Sequence, residues 1–184
     1  VVRVGGIDVR DLTLQSLEDA VGYVTQDAHM FHDTIRANLE FGRSPQSRLS
    51  IEEAAEIAGL SVDLELFPSG YDTMVGERGI TLSGGQKQRA ALARALLADP
   101  KILILDDAFS SVDTETEERI LRRLRSFMAE RTTLLVSHRV STLRAADRIV
   151  VLEGGRIVES GSHDELVAAA GAYAALDRRQ RLEE

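Results

Sequence analysis

An α/β fold, with a mostly parallel sheet flanked by helices, is predicted by three observations. Short apolar runs suited to strands alternate with segments of helical period. The run Ile102-Leu103-Ile104-Leu105 ends in two carboxylates, Asp106 and Asp107. The strand signal lapses between about 33 and 80 and returns afterwards. An inserted α-helical subdomain and an antiparallel strand pair near the C-terminus complete the expected architecture. The chain's 184 residues, 43% of them apolar, suffice for one ordinary domain with a packed core.

Strands are expected first at 1–4, 7–9 and 21–24, where apolar and β-branched residues cluster. Short helices, Pro45, Pro68 and several Gly and Ser residues then take over. Residues from about 33 to 97 are therefore read as the helical subdomain, set into an α/β core of 1–32 and 98–184. Inside it, Ser50 with Glu53 forms a capping box that opens a helix near 51–59. The strand at 102–105 is an unbroken apolar run, as expected when both faces are covered. Thr114 with Glu117 reads as a second capping box, opening a helix near 115–129, and a strand at 132–136 follows. Strands at 147–152 and 156–159 flank Gly154-Gly155, a hairpin signal. Ser162 with Glu165 opens a helix over 163–170, and the charged run from Asp177 to Arg181 reads as its solvated successor.

Composition excludes several function classes. With no cysteine, a disulfide framework and a Cys-based metal site are impossible. A net charge of −8 disfavours the broad basic surface of a sequence-independent nucleic-acid binder, so no nucleic-acid partner is expected. No stretch approaches the roughly 18 consecutive apolar residues of a membrane-spanning helix, so a membrane role must come through another segment. The chain opens on Val1 in what reads as a strand entered midway, and is taken for a fragment of something longer.

Two segments carry chemistry. Charge at the C-terminal end of a buried strand, as at Asp106 and Asp107, lies at the mouth of the sheet, where open α/β folds bind ligands. Alone, the segment is equally a core strand followed by an acidic turn. In Leu82-Ser83-Gly84-Gly85-Gln86, Ser83 suits an N-cap for the periodic helix that follows. Two glycines at a helix start are costly unless something approaches the backbone closely. A phosphate is the obvious visitor, held by free N-terminal amides, the helix dipole and the Ser83 hydroxyl. Alone, this segment reads as a flexible Ser-Gly-Gly turn before a surface helix.

Together, with sixteen residues from Gln86 to Ile102, the two segments resemble the signature motif and Walker B strand of the ABC ATPase family. Val24-Thr25-Gln26-Asp27 resembles its Q-loop, Ser110-Ser111-Val112-Asp113 its D-loop, and Leu135-Val136-Ser137-His138-Arg139 its switch histidine. The resemblance implies a P-loop NTPase-like fold, ATP and Mg²⁺ as cofactors, and a head-to-tail dimer with a second ABC ATPase domain. By the same resemblance, Asp106 and Gln26 lie near Mg²⁺ and the attacking water, Asp107 holds the general base position, and His138 meets the γ-phosphate. Ser83, Gly84, Gly85 and Gln86, with Asp113, would serve the nucleotide shared with the partner. His29, His32 and His163 fill no motif position and are read as surface residues. Residues 73–79 (Thr73-Met74-Val75-Gly76-Glu77-Arg78-Gly79) and 31–38 resemble exporters. The first of these segments implies contact with a transmembrane domain, fused upstream, at the cytoplasmic face of the cell membrane.

Two departures qualify the resemblance. No G-x-x-x-x-G-K-[ST] P-loop is present, and neither of the two lysines, Lys87 and Lys101, sits in one. This chain by itself is expected neither to bind ATP tightly nor to turn it over. Asp107 stands where the family usually carries glutamate, one methylene longer, and a general base must come within about 2.6–3.2 Å of its proton. The expectation is thus the half with the weakened site in a heterodimeric exporter. The alternatives are a non-catalytic remnant and a soluble ABC ATPase of DNA repair. The latter needs a long coiled coil between Gln26 and Leu82, where only fifty-five residues lie and no heptads persist.

Overall fold

The computed structural model describes residues 1–76 and 79–182. It divides into two compact units, Val1–Val136 and Ser137–Glu184.

The first unit begins with a small hairpin, β1 (Arg3–Val4) against β2 (Ile7–Asp8), turned by Gly5 and Gly6 at positive φ. The strand expected at 7–9 stops at Asp8, because the Asp8 carboxylate accepts from the Arg10 backbone N–H and caps a 3-10 turn at Val9–Asp11. Helix α1 (Leu14–Ala20) then leads into β3 (Val21–Val24). Three short helices follow, α2 (Ile35–Glu40), α3 (Ile51–Ile57) and α4 (Ser61–Leu66), before the longer α5 (Gly84–Leu97). The remainder is β4 (Ile102–Asp106), α6 (Thr114–Met128) and β5 (Thr132–Val136).

Helix starts follow cap chemistry. The Ser50–Glu53 capping box closes on α3 as expected, and an unforeseen box between Ser83 and Gln86 closes on α5. The expected box of Thr114 with Glu117 does not form. Asp113 is the N-cap of α6, accepting from the Thr116 amide, while Glu117 is 1% exposed and faces the interior.

Strands β3, β4 and β5 pair in parallel, in that order, with Val24 opposite Leu105 and Asp106 opposite Val136. Parallel pairing in this register brings the C-terminal ends of all three strands to one edge. On β4, Leu103 and Leu105 are fully buried in a core shared with Leu92 and Leu96 of α5 and Ile120 and Leu124 of α6. Ile102 and Ile104 are only half-buried, so the unbroken apolar run does not correspond to equal cover on both faces.

A buried polar hub fixes α2 against α5. Asn38 is 1% exposed; its Oδ1 accepts from the Phe31 N–H at 2.7 Å and from Arg94 Nη2 at 3.2 Å. Its Nδ2 donates to the carbonyls of Phe31 and Thr34. Arg94 adds bonds to the carbonyls of Asn38 and His29 and lies over the Phe31 ring. Burial pushes the Arg94 guanidinium below its ordinary pKa.

The second unit holds α7 (Val140–Leu143), β6 (Ile149–Glu153), β7 (Arg156–Gly161), α8 (His163–Ala168) and α9 (Ala172–Arg181). Strands β6 and β7 form the expected antiparallel hairpin around Gly154 and Gly155, both at positive φ. The Ser162–Glu165 box caps α8. Val140, Ile149, Leu166 and Tyr173 make its core. His163 is not a simple surface residue. Its Nδ1 lies 2.9 Å from the Tyr173 hydroxyl, with the rings edge to face. Nor is the charged tail wholly solvated, since Asp177 is 3% exposed and pairs with Arg181 at 2.8 Å. Among the described residues, no helix is long and apolar enough to cross a membrane.

The Asn38 hub generates a stability prediction. Asn38→Ala leaves the Phe31 amide without its Asn38 acceptor and removes one Arg94 acceptor, and should cost about 1–3 kcal/mol in urea unfolding.

Candidate functional site

The edge where β3, β4 and β5 end carries three of the residues singled out in the sequence. Gln26 follows β3 by two residues and is exposed. Asp106 closes β4, and its Oδ2 accepts from the Tyr23 hydroxyl at 2.8 Å. That hydrogen bond, helped by desolvation, holds the Tyr23 phenol above its ordinary pKa, because ionisation would remove the donor and set two negative charges side by side. Asp107 adopts φ 44, in the left-handed region where Asp is tolerated better than most residues. Its N–H donates to the Val136 carbonyl and its carbonyl accepts from the Ser110 amide, each at 3.0 Å. The backbone at 107 is thus held on both sides.

The second locus is the start of α5. The Ser83 hydroxyl oxygen accepts from the Gln86 amide at 3.2 Å, leaving its hydrogen for another acceptor. Helix geometry leaves the amides of Gly84 and Gly85 without intrahelical acceptors. Packing inside the chain crowds both glycines, and Gly85 the more severely. A Cβ at Gly84 would stand 3.0 Å from Ser111 Oγ, and one at Gly85 only 2.8 Å from the Ser111 carbonyl oxygen. Inside this fold, Ser111 is one close neighbour that the glycines admit. The Gln86 side chain is committed internally: Oε1 accepts from the Ser83 N–H at 2.9 Å and Nε2 donates to Asp63 at 2.9 Å. Arg89 grips the other Asp63 oxygen at 2.7 Å.

Gln88, which the sequence reading passed over, joins the two loci. It is 2% exposed, and its Nε2 donates to the Gln26 carbonyl at 3.1 Å and to Ser110 Oγ at 2.8 Å. Its Oε1 accepts from the Ser111 amide at 2.9 Å. The available signal was its spacing: 85, 88 and 92 share the buried stripe of α5.

The remaining candidates lie as follows. Asp113 caps α6, and the Thr116 amide holds its carboxyl below the ordinary value of 3.8. His138 belongs to the second unit, where its carbonyl accepts from Gln180 Nε2 at 2.6 Å. The segments read as exporter-like are tied together: the Ile35 N–H donates to Thr73, and the Val75 N–H to Asp33. Glu77 and Arg78 lie outside the described residues.

Set against known protein families, residues 1–110 match the ABC transporter family. This chain belongs to that family. Among curated ABC relatives, the ATP-dependent lipid A-core flippase of Burkholderia thailandensis is 48% identical over 179 residues, 97% of this chain and 30% of the flippase. The ABC transporter B family member 19 of Arabidopsis thaliana is 44% identical over 181 residues, 98% of this chain and 14% of its own. A solved structure of a bacterial Atm1-family ABC exporter with ATP bound matches at a TM-score of 0.89 and 45% identity. That match covers 96% of this chain and 31% of the exporter. This chain thus spans about a third or less of the length of these relatives.

The cap of α6 gives a pH prediction. Asp113 has a depressed pKa in the fold, so its stabilisation is present above about pH 4, the unfolded value, and is lost as pH falls through the lower folded value. Asn caps without titrating. In thermal scans between pH 7 and pH 3, Asp113→Asn should lose less stability than the parent over the acid limb, while Asp113→Ala should melt lower than the parent at neutral pH.

Proposed function

We propose that this chain serves in the ATP-hydrolysing, nucleotide-binding domain of an ABC exporter and couples ATP hydrolysis to transport across a membrane. The observation that carries the reading is the pair of loci: a capped, glycine-opened helix start at Ser83 and an acidic sheet edge at Asp106, in a fold similar to an ATP-bound exporter. The partner is a second ABC ATPase domain arranged head to tail, so that Ser83, Gly84, Gly85 and Gln86, with Asp113, serve the nucleotide of the other chain's site. A transmembrane domain, at the cytoplasmic face of the cell membrane, engages residues 73–79. Residues 33–97 act as a helical subdomain between core segments 1–32 and 98–184.

The donors suit ATP and Mg²⁺. Amides and a hydroxyl at the start of a fourteen-residue helix suit phosphate oxygens. Asp106 and Gln26 offer hard oxygens, and no cluster of three or more His, Cys, Asp or Glu able to hold a metal occurs among the described residues. A sparse set of that kind fits Mg²⁺, which keeps several waters and binds through one or two carboxylates and substrate phosphates. When bound, Mg²⁺ neutralises phosphate charge that grows during transfer. Of the chain's own groups, Asp106 would help to hold the metal, with Tyr23 fixing one of its oxygens, and Gln26 would orient the attacking water. Asp107 accepts its proton, and His138 stabilises the terminal phosphate.

Asp107 is a base of short reach in this reading. Its backbone is bonded to Val136 and Ser110, so the missing methylene is not recovered by a small shift without losing those bonds. The chain therefore supplies the slower of two unequal sites and offers an intact signature to its partner's faster one.

In the full-length protein with its partner, Asp107→Glu should raise ATP turnover about tenfold, and Ser83→Ala should remove most of it, as loss of an oxyanion-type donor does. Loss of nearly all turnover in Asp107→Asn would refute the unequal-site assignment. The 184-residue polypeptide alone should show no micromolar ATP binding by calorimetric titration, because it contains no P-loop motif. Micromolar affinity there would overturn that expectation.

A further inference from the structure

The amide of Gln88 commits both its donors and its acceptor to the two loops that flank the acidic edge. At 2% exposure it has no water to fall back on, so each lost bond leaves a buried polar group unpaired. Packing alone does not call for an amide here, since Leu92 and Leu96 seat the same helix with apolar side chains. We propose that Gln88 is a positioning residue that mechanically couples the two nucleotide sites to which one chain contributes.

This inference rests on the head-to-tail reading above. The start of α5 belongs to the partner's site, whereas Gln26 and the segment beginning at Ser110 border the chain's own. Gln88 lies five residues beyond Ser83 on the same rigid helix. Any displacement of the helix start reaches Gln88 undiminished, and hydrogen bonds of 2.8–3.1 Å weaken steeply when stretched or tilted. The Gln26 carbonyl, the Ser110 hydroxyl and the Ser111 amide must then travel with the helix. Ser111 is held a second time, against Gly85, where a Cβ would come within 2.8 Å of the Ser111 carbonyl oxygen. Closure of the signature on one nucleotide therefore repositions Gln26 at the other.

The test uses the full-length protein with its partner, reconstituted in liposomes, with steady-state ATP hydrolysis as readout. Gln88→Leu should lower kcat about tenfold, with the KM for ATP changing less than about twofold, and the Hill coefficient should fall from above unity to unity. Ser110→Ala, which removes one of the three bonds, should act in the same direction and more weakly. The double variant should be no worse than Gln88→Leu, the non-additivity expected of residues acting as one unit. Should Gln88→Leu not fold, Gln88→Glu carries the test. Its carboxylate keeps an acceptor for Ser111 but opposes the Gln26 carbonyl, so its kcat should be low at neutral pH and recover as the carboxyl protonates. A role in packing alone predicts a lower melting temperature with the parental kcat, Hill coefficient and pH profile, and that result overturns the proposal. Additive effects of Gln88→Leu and Ser110→Ala also overturn it. If the parent hydrolyses ATP and the Gln88 variants match it, this inference alone fails. If the parent does not hydrolyse ATP, the functional reading fails and takes this inference with it.

Discussion

Helix α5 is seated by polar side chains, and the architecture of the first unit depends on that seat. Gln86 and Arg89 converge on Asp63 of α4, Gln88 holds the loops after β3 and β4, and Arg94 holds α2 and the segment before it. An apolar stripe tolerates sliding and rotation by a fraction of a turn, whereas directional bonds along successive turns define one register. The register matters because it sets where the first turn of α5 presents its unpaired amides. Arg94 shows the cost of this arrangement. Its guanidinium is desolvated and bonds to carbonyls and an aromatic face, so the helix is fixed at the expense of the charge's preference for water.

The signature glycines acquire a double reason from the same seat. Amides at a helix start recognise phosphate oxygens whatever the side chains, so that demand alone is met by alanine at a modest cost in approach. The contact with Ser111 is stricter, because its carbonyl oxygen lies within 2.8 Å of where a Gly85 Cβ would stand. Close packing between the start of α5 and the loop after β4 is what excludes larger residues, and it presses together two segments that the sequence presents as separate motifs. Ser83 complements this by capping through its oxygen, which leaves the proton side of the hydroxyl free for an incoming acceptor.

Features carried by neighbours in sequence were legible in advance. The hairpin at Gly154-Gly155, the boxes at Ser50 and Ser162, and the parallel core strands all follow from spacing and local chemistry. The error at Thr114 arose because Asp113 and Thr114 are both competent caps and Glu117 satisfies the box spacing. Burial of Glu117 decided the matter, and burial belongs to the tertiary fold. Distance in sequence hid the rest. Tyr23 meets Asp106 across 83 residues and Gln88 meets Gln26 across 62, partners that no periodicity encodes. The tail misled for the opposite reason: five charged or polar residues in a row suggest a solvated face, yet Asp177 turns inward and collects Arg181. Of the candidate site, the acidic edge and the helix start were readable as motifs, whereas the amide that joins them was not.

Asp107 shows two requirements meeting at one position. The chain leaves β4 through a left-handed turn at φ 44, and short side chains that bond locally, Asp and Asn, tolerate that conformation best. A base acting on a water beyond the strand end gains instead from a longer reach, which favours glutamate. In this chain the residue satisfies the turn, and the backbone bonds to Val136 and Ser110 stabilise it there. A turn so well satisfied keeps the strand end rigid, and with it the Asp106 carboxylate and the Ser110 hydroxyl and Ser111 amide that Gln88 grips. A short residue at 107 thus satisfies the turn without loosening the frame through which α5 is positioned.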